Sequence, residues 1–285
     1  MTSTVLLTGA SGYLGGAVRR RLVERGDEVV ALGRRDAEVR VDLQVETVSW
    51  ALVRRESRVL VHCAGVMAND AAAVVDTVKI AANLLAELPA HVTRLVLVSS
   101  AYVYAPSSRG MTEDDAPAPV DAYGFAKVSV EALFEGVAKA SGRSLTILRP
   151  SAIFGPNDPN RKAVTRFVAD ARRGVAPTLV GDVTFPRDYV HIDDAARAVV
   201  AAIDVEPPVP VRTYNVCTGR SWSPVELARL IGELCPAARI DHPPMAEGPV
   251  GYRFDPGRAA RELGWTSRID MRTAIASLLS EGEER

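Results

Sequence analysis

A chain of 285 residues, 47% hydrophobic and 24% charged, carries enough apolar material for one large domain or two closely joined ones and falls outside the disordered class. A formal net charge of -1 gives no general attraction to nucleic acid or to an anionic membrane, and no apolar run is long enough to span a bilayer. The three cysteines, Cys63, Cys217 and Cys235, are scattered and odd in number and the four histidines are dispersed, which excludes a disulfide framework and a metal site. A cytoplasmic protein without a signal peptide is expected.

Val5-Leu6-Leu7 is a short apolar run of the kind that forms a buried parallel strand. Gly9, Gly12 and Gly15 follow, and Ala17–Val23 then alternates an apolar face with arginines, as an amphipathic helix does. Strand, glycine turn and helix N-terminus together make a site for a dinucleotide pyrophosphate, because the backbone can approach closely and free N–H groups point at the anion. The second strand, Glu28–Leu32, ends at Gly33-Arg34-Arg35. An acidic residue at this distance from the glycines would hold the ribose hydroxyl of NAD, whereas arginines match a 2′-phosphate, so NADP(H) is predicted. The alternative is a pair of loop arginines facing water.

Val39–Asp42 and Arg58–His62 read as the third and fourth strands, the latter running into the small-residue turn His62-Cys63-Ala64-Gly65, with His62 a structural histidine. A helix is predicted over Ala71–Leu88, and a fifth strand over Arg94–Ser99, leading into Ser100. After the loop Met111–Pro119, Tyr123 and Lys127 open a helix that runs to about Ala140. Residues four apart share a helix face, so an ammonium beside a phenol favours the phenolate, and a Ser100 hydroxyl can steady a carbonyl oxygen. Leu145–Pro150 is the sixth strand, and Asp193 is the expected N-cap of the alanine-rich helix after it.

The spacing T-G-x-x-G-x-x-G at Thr8–Gly15 is one of several motifs that resemble the extended branch of the short-chain dehydrogenase/reductase family. The others are S-S-x-x-V-Y at Ser99–Tyr104, Y-x-x-x-K at Tyr123–Lys127, R-P-x-x-x-x-G-P at Arg149–Pro156 and R-D-Y-V-H at Arg187–His191, followed by Y-N-V at Tyr214–Val216 and E-L-G-W at Glu262–Trp265. The resemblance implies an α/β fold: a doubly wound parallel Rossmann sheet (residues 1–151 and 187–219) with a smaller C-terminal α/β substrate lobe (152–186 and 220–285). It implies catalysis by Ser100, Tyr123 and Lys127. Cofactor contacts would come from Gly9, Ser11, Gly12, Tyr13, Leu14 and Gly15, from Arg34 and Arg35, from Asp42 and Leu43 at the adenine, and from Ala64, Gly65, Tyr123, Lys127 and Pro150. Tyr102, Ser151 and Arg187 would contact a nucleotide-diphosphate sugar, Arg187 at the diphosphate, and a homodimer would form through the helices at Ala71–Leu88 and Tyr123–Ala140.

The chain departs from the family's pattern in places. Ala152 replaces a substrate-binding asparagine, Thr77 replaces a second asparagine, and a second diphosphate arginine has no counterpart, Arg253 being a poor positional match. Ala101-Tyr102 stands where a 4,6-dehydratase carries Asp-Glu. The resulting expectation is an NADPH-dependent ketoreductase of a nucleotide-linked 4-keto-6-deoxysugar, such as a dTDP sugar of deoxysugar or antibiotic biosynthesis. The rivals are a nucleotide-sugar 4-epimerase with tightly bound NAD and a non-catalytic NADP-sensing protein.

Overall fold

The computed structural model describes residues 4–53, 57–160, 162–179, 181–238, 248 and 250–280. In chain order they form β1 (Thr4–Thr8), α1 (Tyr13–Glu24), β2 (Glu28–Gly33), β3 (Val39–Arg40), β4 (Val59–His62), α2 (Ala71–Leu85), β5 (Arg94–Val98), α3 (Ala122–Ser141) and β6 (Ser144–Pro150). There follow β7 (Ala152–Phe154), α4 (Ala163–Arg172), β8 (Arg187–His191), α5 (Ile192–Asp204), β9 (Val211–Val216), β10 (Ser221–Trp222), α6 (Pro224–Leu234), α7 (Gly257–Leu263) and α8 (Met271–Ser280).

Seven strands pair in parallel in the order β3-β2-β1-β4-β5-β6-β9. Alternate side chains of each strand feed two cores, which is why the central strand sequences are mostly apolar. Val5, Leu7, Val59, Val61 and Val96 pack with α1 and α5, while Leu6, Leu60, Leu95, Leu97 and Ile147 pack with α2 and α3. The order reverses direction between β1 and β4, and a crevice opens there at the carboxyl ends of the strands. A second sheet, β10-β8-β7, carries a third core of Phe154, Phe167, Tyr189, Leu227 and Ile275 with α4, α6 and α8.

The doubly wound sheet is the one expected, with differences at element ends. Helix α1 begins at Tyr13 rather than Ala17, so Tyr13, Leu14 and Gly15 belong to its first turn. Helix α2 stops at Leu85 rather than Leu88, because Ala86 turns extended and Glu87 takes a left-handed φ of 55. Strand β3 is two residues long, which leaves Asp42 in the loop beyond it. Asp193 is not the N-cap of α5: His191 is, its Nδ1 accepting from the Asp193 N–H at 3.3 Å, and Asp193 lies in the first turn, where its charge suits the helix dipole. Within 187–219, strand β8 pairs into the small sheet, while α5 and β9 pack with the large one. No helix among the described residues is long and apolar enough to cross a membrane.

Candidate active site

The β1–α1 turn is closed so tightly that only glycine fits at two of its corners. Gly9 has φ +72, and a Cβ there would lie 2.8 Å from the Ala64 nitrogen, in the turn after β4. A Cβ on Gly15 would lie 2.0 Å from the Gly9 carbonyl oxygen. Gly12 caps α1 without a side chain, and the first turn carries no acidic residue, so the positive helix end is left open. This is a cradle that a diphosphate fits, and a dinucleotide can lie across it along two joined grooves.

The first groove, about 270 Å³, runs from Gly9 and Ser11 past Arg34, Arg35, Asp42 and Leu43, with Ala64 and Gly65 on its far wall. Asp42 is the only carboxylate among the described residues lining it, 3.9 Å from the Arg34 guanidinium, which also donates to Gln44 at 3.3 Å. The second, about 320 Å³, shares Gly12, Cys63, Gly65 and Val66 with the first. Tyr13, Leu14 and Gly15 line it beside Ser100, Tyr102, Tyr123, Lys127, Pro150 and Ser151. Expected cofactor and catalytic residues therefore meet on one continuous track. All the expected residues but Arg187 lie on it.

Helix α3 is capped by Asp121, which accepts from the Gly124 N–H at 2.8 Å. A Cβ at Gly124 would lie 2.5 Å from the Tyr102 carbonyl oxygen, so glycine there lets the helix sit directly on the turn that carries Ser100 and Tyr102. Lys127 is buried, donates to the Val98 carbonyl at 3.2 Å and lies 5.8 Å from the centre of the Tyr123 ring. Burial and, second, this ammonium push the His62 imidazole down to about 3, so His62 is neutral, its Nδ1 2.7 Å from the Thr8 hydroxyl. Burial pushes the Cys63 thiol up to about 12 against the opposing pull of Lys127, which makes it an inert lining group. Ser100 Oγ accepts from the Tyr102 N–H at 3.1 Å, leaving its own hydrogen to be donated.

Behind the pair lies a buried polar network. Glu131, one turn beyond Lys127 on α3, accepts from Arg149 of β6 at 3.0 and 2.6 Å. Arg149 also donates to the Tyr104 hydroxyl at 2.6 Å, which in turn donates to Asn215 at 3.1 Å. Burial alone would lower the Arg149 pKa, but the hydrogen bonds and charge of Glu131 outweigh it and hold the guanidinium above its ordinary value.

On the substrate side, burial raises the Tyr102 phenol above its ordinary pKa while Arg187 opposes, and its ring meets Tyr252 edge-on at 4.6 Å. Ser151 Oγ donates to Asp188 at 2.7 Å, so its hydrogen is already committed. Burial lifts the Asp188 carboxyl to about 6, although Thr218 and Gly219 donate to it as well. Arg187 does not line the cleft: it sits in an adjoining cavity. Arg253 donates to the carbonyls of Ser107 and Gly248, a structural use. Sequence reasoning missed Ser99, Met67, Asn160 and Lys162, all of which line the cleft. Asn160 Nδ2 lies 3.6 Å from Met67 Sδ, joining loops from the two lobes. The turn-rich run from Asn157 to Asn160 was the one local signal for these, and it names a loop rather than a ligand.

A profile of the NAD dependent epimerase/dehydratase family matches residues 5–217. The chain is 29% identical to UDP-glucose 4-epimerase of Corynebacterium glutamicum, over 95% of its own length and 93% of that relative. It is 27% identical to dTDP-glucose 4,6-dehydratase of Actinoplanes sp., over 85% and 78% respectively. Its structure is similar to that of UDP-N-acetylglucosamine 4-epimerase from Bacillus cereus, with a TM-score of 0.83 at 20% identity over 100% of this chain and 98% of that one, a likeness of fold alone.

Proposed function

The chain belongs to the NAD dependent epimerase/dehydratase family, and from that premise we propose that it is an NADPH-dependent reductase of a nucleotide-linked 4-keto-6-deoxysugar. The observation that carries this reading is the adenosine end of the track, where Arg34 and Arg35 stand at the tip of β2 and the only carboxylate among the described residues lining the groove, Asp42, lies beside Arg34. A guanidinium there favours a 2′-phosphate, and net reduction draws on the phosphorylated dinucleotide. A 4,6-dehydratase is disfavoured, because Ala101 and Tyr102 follow Ser100 and neither supplies a carboxylic acid or carboxylate.

When bound, the nicotinamide supplies the hydride. Ser100 donates a hydrogen bond to the keto oxygen, and the Tyr123 hydroxyl gives that oxygen its proton. Lys127, fixed by the Val98 carbonyl, holds a positive charge beside the phenolate that Tyr123 becomes. A cytoplasmic homodimer belongs to the same reading, through the faces of α2 and α3 on which Val75 and Phe125 stand 51% and 55% exposed.

A second reading, a nucleotide-sugar 4-epimerase that retains NAD, is favoured by the epimerase of Corynebacterium glutamicum at 29% identity. A non-catalytic sensor would have no use for a proton donor at Tyr123. The deciding experiment follows NADPH and NADH oxidation against a panel of nucleotide-linked 4-ketosugars, with UDP-glucose and UDP-galactose interconversion measured alongside. Interconversion without net oxidation of added NADPH would replace the reductase by the epimerase.

A further inference from the structure

The small lobe holds a further cavity, of about 800 Å³, lined from β10, from one face of α6 and from the loop that leads into α8. Leu230 and Met271 of the third core form part of its wall. It shares no lining residue with the dinucleotide track or with the cavity of Arg187. A space of this size suits a small organic ligand better than a lone ion.

Among the described residues the wall carries four arginines, Arg220, Arg229, Arg268 and Arg272, and three carboxylates, Glu226, Glu233 and Asp270. Every carboxylate is committed. Glu226 accepts from the Ser223 N–H at 2.7 Å, as half of the capping box of α6. Asp270 accepts from the N–H and the hydroxyl of Thr273 at 3.0 and 2.7 Å, which closes the N-terminus of α8. Glu233 pairs with Arg272 and so joins α6 to α8. Arg220, Arg229 and Arg268 are left without a carboxylate partner among the described residues. Three guanidinium groups around one concavity repel one another, and an anion placed among them removes that cost.

Arg220 is already arranged for an oxyanion. Its guanidinium lies over the Trp222 ring, 3.9 Å from the ring centre. Held against an aromatic face, a guanidinium gives up side-chain freedom before any ligand arrives, and it keeps N–H groups for a bidentate bond. The two oxygens of a phosphoryl group match that fork.

We propose that this cavity binds a small molecule bearing a phosphoryl or diphosphoryl group, gripped by Arg220, Arg229 and Arg268, at a site separate from that of the reaction. The assignment does not depend on which nucleotide sugar the enzyme turns over.

The test is calorimetric titration of inorganic pyrophosphate and of ADP, with adenosine as the uncharged control, into the full chain saturated with NADP+. Tryptophan emission is followed alongside, and Trp222→Phe identifies the part of the signal that comes from the cavity wall. Both phosphates are expected to bind and to change the emission of Trp222, and adenosine to do neither. Arg220→Gln, Arg229→Gln and Arg268→Gln are each expected to weaken binding about fivefold or more, with Arg187→Gln within about twofold of the parent. NADP+ affinity within about twofold of the parent in each variant shows that a loss is one of binding and not of folding. Tighter binding of ADP than of pyrophosphate assigns the remaining volume to an organic group, and equal binding assigns the grip to the phosphoryl groups alone. No heat and no change in emission with either phosphate up to about 5 mM overturns the proposal. So does binding that Arg187→Gln abolishes while the other three substitutions leave it intact.

Discussion

Glu131 and Arg149 form a buried contact directly behind Tyr123 and Lys127, and Glu131→Gln tests it. Both side chains are 7% exposed, so removing the carboxylate charge leaves a buried guanidinium with an amide oxygen and a phenol hydroxyl as acceptors but no anion. Breaking a buried pair from one side costs about 3–5 kcal/mol, a large share of the roughly 5–15 kcal/mol that holds a domain folded. With an unfolding entropy of about 2.1 cal/mol/K per residue, that loss lowers Tm by about 5–8 °C in a chain of this length. Lys127 and Tyr123 lie one and two turns earlier on the same helix face, so turnover is expected to fall as well as stability. Differential scanning calorimetry at neutral pH reads the first effect, and steady-state turnover at a temperature well below both transitions reads the second. The paired substitution Glu131→Leu with Arg149→Met, which removes both charges, is expected to recover most of the Tm but not the turnover. A Glu131→Gln protein melting within about 2 °C of the parent would refute the reasoning, because no desolvated charge could then have been left behind.

Tyr123→Phe removes the proton donor and is expected to lower kcat about a hundred- to ten-thousandfold while leaving dinucleotide affinity unchanged in a fluorescence titration; a rate within tenfold of the parent would sink the assignment. Replacing Arg34 and Arg35 by serine is expected to reduce the preference for NADPH over NADH by about tenfold, the lower end for a charge-assisted bond because the Arg34 side chain is 61% exposed; an unmoved ratio of kcat/KM values means that neither arginine reads the phosphate. His62 is pushed down to about 3 by burial, while the unfolded imidazole titrates near about 6.5, so between those values the unfolded chain binds the extra proton. Its contribution to stability is therefore complete above pH 6.5 and is lost as the pH falls towards 3. Urea unfolding at pH 7 and pH 5 should show the parent losing about 2 kcal/mol more than His62→Asn, and equal losses would remove His62 from the account.

What could be read from the sequence was what the chain writes locally. The glycine turn is legible because Gly9 and Gly15 each answer a contact within their own βα unit or the turn beside it, and Tyr123 with Lys127 is legible because one helical turn sets their spacing. Six of the seven parallel strands were found because burial on both faces leaves few polar positions to obscure them, whereas β9, with Arg212, Thr213 and Asn215, was read as a motif and not as a strand. The small sheet was not resolved into its strands: β10 is two residues long and β7 three, and both exist only through their pairing with β8. Lys162 carries no motif, since its placement depends on how α4 packs against the small lobe. The Asp193 cap failed for a similar reason: the preceding histidine, turned by the end of β8, reaches the free N–H first. Arg187 was recognised by its motif, yet its assignment to a space separate from the cleft of Tyr123 and Lys127 needed three dimensions.

The junction between the two sheets has a kinetic consequence. Strand β6 ends at Pro150 and β7 begins at Ala152, and β8 passes into α5 with no residue between them. The intervening Ser151 is itself pinned, its N–H to the Val216 carbonyl at 3.0 Å and its hydroxyl to Asp188. Asp188 also gathers the turn at Thr218 and Gly219, so three strand crossings are riveted at one carboxylate. A hinge needs residues whose backbone angles are free to swing, and at these crossings even Gly219 is held, its N–H donating to Asp188 at 2.9 Å. The lobes are therefore expected to keep a fixed jaw angle, which would leave traffic through the cleft to its lips, the loops that meet where Asn160 touches Met67. Ligand exchange is then expected at the speed of a loop rather than of a domain.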